Sequence, residues 1–264
     1  MREGQRNLLT VRGVTKRFPV GDGEIEALAR IDLAIDSGEL VCLIGASGCG
    51  KSTLLRIIAG FEEPSTGDVA THGRIITGPG SDRGMVFQDY ALFPWMTVHR
   101  NIGFGPRQRG LPRAEIAAIA DEFIRLVGLE RFADRYPNQL SGGMKQRVAI
   151  ARVLANDANI LLMDEPFGAL DALTREQLQR ELLQIWARTR VTIVFVTHSV
   201  EEAALLADRV LVMGAGPGRI ESDIKLDLPR PRDVSSPEFN AVRRELAQRL
   251  TSHMAPARVS ETVA

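Results

Sequence analysis

Short apolar runs alternate with glycine- and proline-marked breaks along this chain, and each run has the length of a strand or the spacing of a helix. Leu8–Val11 and Ile31–Ile35 cluster apolar residues and predict strands. Asp36-Ser37-Gly38 predicts a turn. Glu39–Ile44 then enters the wholly apolar Leu40-Val41-Cys42-Leu43-Ile44. Gly45–Gly50 is glycine-rich. A helix is predicted from near Lys51 to Gly60, where glycine can adopt a left-handed cap. Met85-Val86-Phe87 predicts a short strand. Ala114–Val127 places Ile116, Ile119, Phe123, Ile124 and Val127 on one helical face. Ser141–Leu154 and Leu173–Arg188 predict helices; Ile160–Met163, Thr192–Val196 and Arg209–Met213 predict strands. The first two of these strands are continuous apolar runs, as in a sheet covered on both faces. After Pro229 come a Pro/Arg stretch, one helix at Pro237–Leu250 and a polar tail.

This alternation predicts an α/β fold around a mainly parallel sheet. From about Leu92 to Gln139 the pattern changes, with Pro94, Pro106 and Pro112 as breaks, which predicts a helical subdomain inserted in the core. A length of 264 residues fits one large α/β domain with such a subdomain. Lys+Arg and Asp+Glu both number 33, and this zero net charge argues against a nucleic-acid partner. Cys42 and Cys49 lie too close, inside one strand–loop unit, for a disulfide framework, so a reducing compartment is expected. No apolar run approaches the ~20 residues that span a bilayer, and Met1–Asn7 is too polar for a signal peptide. Any membrane role is expected to come through a partner.

Gly45-Ala46-Ser47-Gly48-Cys49-Gly50-Lys51-Ser52 matches GxxxxGK[ST] between a predicted strand and a predicted helix. Glycines let the backbone curl so that successive N–H groups face phosphate oxygens, and the helix adds the positive end of its dipole. Lys51 reaches the β- and γ-phosphates; the Ser52 hydroxyl can ligate Mg²⁺. Asp164-Glu165 closes the strand Ile160–Met163, where a parallel sheet opens its crevice. Asp164 can hold Mg²⁺ and Glu165 can polarise the attacking water, or both are solvated acids at a strand end. Ser141-Gly142-Gly143 opens a helix that carries Lys145, Gln146 and Arg147. It is either a capped helix or a second anion-ready terminus. His198 is either packed beside its strand or a hydrogen-bond donor to a γ-phosphate. Gln88 is either a surface glutamine or its counterpart on the neighbouring strand.

Taken in order, these residues resemble the ABC ATPase family from about Leu8 to Leu228, most specifically in Leu140-Ser141-Gly142-Gly143-Met144-Lys145-Gln146-Arg147. The resemblance implies a P-loop NTPase core with an N-terminal antiparallel β subdomain and an α-helical subdomain at roughly 92–155. It also implies a cassette at 1–228 and a short C-terminal extension at 229–264, a helix plus flexible tail. It assigns Phe18 to adenine stacking and Gly45–Thr53 (Gly45, Ala46, Ser47, Gly48, Cys49, Gly50, Lys51, Ser52 and Thr53) to the Walker A loop. Gln88 is implied as the Q-loop residue near Mg²⁺, Asp164 and Glu165 as the Walker B acid and catalytic base. Ala169-Leu170-Asp171 is implied as the D-loop and His198 as the switch histidine. ATP and Mg²⁺ are the implied cofactors. The family pairs two cassettes head to tail, so that Ser141, Gly142 and Gly143 of one copy close over the nucleotide of the other.

A narrower resemblance, to the nitrate/sulfonate/taurine importer ATPases, rests on Gly78–Gly84, Leu92–Val98, the segment Gly142–Arg147 and Gly216–Ile220. It implies a homodimer or paired cassette on the cytoplasmic face of the cell membrane, docked on a permease and served by a binding protein. Docking is expected just after Gln88, where Phe93, Trp95 and Met96 are either a local core or an exposed groove. A large C-terminal regulatory domain is not expected, because about 35 residues follow Pro229. The alternative is a soluble ABC ATPase not coupled to a permease.

Overall fold

The computed structural model describes residues 7–21, 23–168 and 170–252. The long strands β1 (Asn7–Val20) and β2 (Gly23–Asp36) form an antiparallel hairpin, followed by β3 (Leu40–Gly45) and the helix α1 (Lys51–Ala59). Next come β4 (Thr66–Thr71), β5 (Arg74–Ile75) and β6 (Arg83–Val86). Four helices follow: α2 (Val98–Ile102), α3 (Phe104–Gln108), α4 (Arg113–Leu126) and α5 (Gly142–Leu154). The chain then alternates through β7 (Ile160–Asp164), α6 (Ala172–Thr189), β8 (Thr192–Thr197), α7 (Val200–Leu206), β9 (Arg209–Gly214), β10 (Arg219–Lys225) and α8 (Pro237–Ser252).

Two sheets result. One is antiparallel with the order β2-β1-β4-β5; the other has the order β10-β9-β3-β8-β7-β6. Its five strands from β9 to β6 run parallel, and β10 closes one edge antiparallel. The apolar runs of β3 and β8 are buried at every position because both faces are covered. Val41 and Leu43 face α1 and the antiparallel sheet, while Leu40, Cys42 and Ile44 belong to the core beneath α5, α6 and α7. Burial pushes the Cys42 thiol far above its ordinary value, so this cysteine is a packing group.

The predicted face of α4 packs inward, but its centre is Ala120 with Ile124; Ile119 and Phe123 flank it half-buried. Ala120 escapes an apolar-periodicity reading because its side chain is small. β1 and β2 extend well past the predicted Leu8–Val11 and Ile31–Ile35, since their outer halves are exposed and polar. The strand predicted at Met85–Phe87 begins earlier, at Arg83, and ends at Val86.

The segment after β10 is bound to the core. Phe239 and Leu246 of α8 are 1% and 0% exposed. Arg232 donates to the carbonyls of Ala204, Leu205 and Ala207 at the end of α7, and burial lowers its pKa to about 10. Arg230 pairs with Asp208 at 2.5 Å, and its guanidinium lies 4.7 Å from the Trp186 ring. The polar tail at 253–264 lies outside the described residues.

Candidate nucleotide site

Parallel register gathers the site. Ile44 lies beside Thr197, and Asp164 beside Val196, so the C-terminal ends of β3, β7 and β8 share one rim. The loop after β3 curls through Gly48 and Gly50, both with positive φ (78° and 91°), and Gly50 passes directly into α1. A side chain at Gly50 would strike Leu28 of β2. Lys51 is buried, and its Nζ donates to the carbonyls of Gly45 and Ala46, both at 2.9 Å. Ala46, Ser47, Cys49 and Thr53 complete this loop and first turn, with the Cys49 amide donating to the Ala46 carbonyl at 3.3 Å.

Ser52 Oγ donates to Asp164 Oδ1 at 2.9 Å. Burial raises the Asp164 pKa and the charge of Glu165 adds to it, against the Ser52 hydrogen bond, Arg56 and Lys51. A half-buried carboxylate under these opposed influences, bonded to a hydroxyl, fits a hard divalent cation. Among the described residues no cluster of three His, Cys, Asp or Glu could hold a metal. A cation here would therefore share Ser52 and Asp164 with oxygens of a bound phosphate.

Glu165 turns away from Asp164 because its backbone is left-handed (φ 46°), with its amide bonded to the Val196 carbonyl at 3.0 Å. This conformation is uncommon for a residue with a side chain and is held by the strand beside it. It brings Glu165 Oε2 to 3.3 Å from His198 Nδ1. The His198 side chain is 66% exposed, so it is not packed into the core; Glu165 is 34% exposed. Gln88 is exposed, and its amide stands across Gly168 from Glu165. Gln88, Ser52, Arg56, Asp164 and Glu165 line one open pocket of 710 Å³.

Other expected residues are not gathered here. Ser141 caps α5, its Oγ accepting the Met144 amide at 3.3 Å, and is exposed. Gly142 lies against Tyr90 and Leu170, and Gly143 against Thr174 and Leu178; none of the three lines the pocket. Phe18 stands farther out on the hairpin, with the Lys16 ammonium 4.8 Å from its ring, whereas the hairpin meets the loop through Ala27 and Leu28. Ala169 lies outside the described residues; Asp171 caps α6 through Thr174. Sequence reasoning did not place Gly218 in the site. A Cβ there would collide with the Cys49 carbonyl, and its own backbone pairs with Ala27 and Ala29. The Gly216-Pro217-Gly218 turn was legible only as a mark of resemblance.

A strand, a glycine loop and a helix whose lysine turns back on the loop and whose serine meets an acid on a nearby parallel strand define a P-loop nucleotide-binding ATPase. The family profile described as ABC transporter matches residues 28–168. The chain belongs to the ABC transporter family, as an ATP-binding and ATP-hydrolysing subunit. It is 53% identical over 245 residues to an uncharacterised ABC transporter ATP-binding protein of Methanocaldococcus jannaschii, covering 93% of this chain and 92% of that protein. It is 46% identical to the nitrate import ATP-binding protein NrtD of Synechocystis sp., over 90% of this chain and 89% of the relative. It is also 46% identical to the taurine import ATP-binding protein TauB of Roseobacter denitrificans, over 90% and 92%. Among solved structures, a dimeric ATP-binding cassette in a post-hydrolysis state, bound to ADP and phosphate, superposes with TM-score 0.72 at 35% identity, covering 84% of this chain and all of that one.

Proposed function

We propose that this chain drives uptake of a small anionic solute of the nitrate, sulfonate or taurine type through a separate permease, working as a pair of cassettes on the inner face of the cell membrane. A binding protein would deliver the solute. Among the described residues no helix is long and apolar enough to cross a membrane. Similarity to importer subunits across nine-tenths of the chain supports the solute class.

The observation that carries the reading is the split of the site. Ser52 meets Asp164 and Glu165 meets His198, while Ser141, Gly142 and Gly143 are not among the residues that line the same pocket. Two copies packed head to tail would let each exposed Ser141 close over nucleotide held on the other's loop. Mg²⁺ held by Ser52 and Asp164, with Gln88 beside them, would offset the charge of the transferring phosphoryl. Lys51 and the loop amides orient the phosphates. Glu165 accepts a proton from the attacking water, and His198 holds Glu165 and the γ-phosphate in register. Phe18 would stack on the base.

The residues after Gln88 divide between core and surface. Phe93 packs on Phe104, with ring centroids 4.5 Å apart, whereas Trp95 is 68% exposed. Trp95, Met96, His99, Phe104, Arg107 and Ile116 line a groove of 540 Å³. An exposed tryptophan beside a mixed apolar and basic groove suits a short cytoplasmic helix of the permease. Trp95→Ala should weaken permease-stimulated hydrolysis and co-purification at least about tenfold, with the basal ATPase within about twofold. Equal loss of both activities would count against the groove, and no retention of any permease by the unaltered chain would count against the transport role.

A further inference from the structure

The turn that carries His198 is fixed by a buried acid. Thr197 is 2% exposed; its hydroxyl donates to Glu202 Oε2 at 2.5 Å and accepts the Ser199 amide at 3.0 Å. Both neighbours of His198 are thereby tied to one hydroxyl oxygen. Glu202 is itself buried on α7. Its Oε1 accepts Gln179 Nε2 from α6 at 3.3 Å and lies 3.9 Å from Arg175 Nε. Arg175 donates through Nη2 to the Leu170 carbonyl at 2.9 Å, next to the Asp171 cap of α6. Hydrophobic packing gives no reason for a carboxylate at this depth, where an unmatched charge is costly. Its partners come from two other elements, β8 and α6, and β8 ends at the catalytic rim.

We propose that Glu202 is a positioning residue for ATP hydrolysis. Through Thr197 it fixes the backbone on either side of His198, and through Arg175 it couples that turn to the segment at Leu170–Asp171. His198 Nδ1 then stays within reach of Glu165 while the start of α6 keeps its place. Glu202 touches neither substrate nor the reacting atoms; it acts through His198, and the inference rests on the role given to His198 above. In Glu202→Gln the amide keeps an oxygen for Thr197 and can still bond the Gln179 amide once that turns its oxygen inward, but its N–H₂ cannot pair with Arg175, so the charged tie to α6 is lost at nearly constant volume.

The test is steady-state hydrolysis of Mg-ATP by the full chain carrying Glu202→Gln, His198→Ala or both. Glu202→Gln should lower kcat at least about tenfold, with the KM for ATP within about threefold. The double variant should be no slower than His198→Ala alone, because one residue acts through the other. A fold defect alone would instead lower the melting temperature and the active fraction, and its loss would multiply with that of His198→Ala. Wild-type kcat in Glu202→Gln, or multiplying losses, overturns the proposal. Should Glu202→Gln fail to fold, Thr197→Val is compared with Thr197→Ser: serine keeps the hydroxyl and should keep the rate, valine should lose it, and equal rates overturn the idea. A slow His198→Ala with a fast Glu202→Gln defeats this inference alone. A His198→Ala variant at wild-type rate defeats the reading of the site and this proposal with it.

Discussion

At the scale of single residues, the site combines side chains whose partners differ in kind. Lys51 is buried with two carbonyl acceptors, so its charge is already matched within its own loop. Removing it takes away the cation that in the proposed site would face the phosphates. Lys51→Ala should therefore reduce phosphate release by at least about a hundredfold with a melting temperature near that of the unaltered chain. Retained turnover would contradict the assignment. The phosphate loop and the acid pair were legible in the sequence because each is a contiguous motif. His198 was not legible from its own residues. A histidine after an apolar strand reads as packed, and only the register of Asp164 with Val196 sets Glu165 opposite it.

At the scale of elements, legibility followed burial. β3, β7 and β8 were plain because both faces are covered, which leaves an unbroken apolar run. β10 and the outer halves of β1 and β2 were not, because solvent on one side admits Arg, Glu, Asp and Lys. The seven-residue α7 was too short to show a period. Two predictions belong to this scale. Gly218 presses its backbone on the phosphate loop where a methyl group has no room. Gly218→Ala should cost about 1–3 kcal/mol in denaturant unfolding and raise the KM for ATP; an unchanged KM would show that the loop does not depend on this contact. Phe239 anchors α8 against α7 and is almost fully buried. Phe239→Ala should destabilise by about 3–5 kcal/mol in the same measurement. A loss below about 1 kcal/mol would mean that α8 is only loosely attached.

At the scale of the whole molecule, the decisive feature is separation. The pocket beside the phosphate loop is lined by Ser52, Asp164 and Glu165, and the exposed Ser141 that caps α5 is not among its lining residues. In the proposed reading each of the two is half of a site that pairing of copies would join. Glu165→Gln should bind ATP, hydrolyse it very slowly and accumulate as a nucleotide-held dimer in size-exclusion chromatography. A variant that stays monomeric with ATP would argue against a shared site. Adding Ser141→Arg to it should return the chain to the monomer, because bulk and charge would replace the small cap that, in the proposed pair, would face the partner's nucleotide.

The sequence by itself determined the parts that are local. Strand, glycine loop and helix are set by neighbouring residues, and so are the acids at the end of an apolar run and the capped helix at Ser141. Their chemistry depends on residue type at short spacing, which a linear chain displays directly. Only the tertiary structure decided which parts meet. Parallel pairing of β7 with β8 put Glu165 beside His198; the sheet order put Asp164 beside Ser52; and Ser141, at the head of α5, is not among the residues that line their pocket. Those outcomes depend on contacts between residues far apart along the chain, 112 positions in the case of Ser52 and Asp164, and no local pattern encodes them.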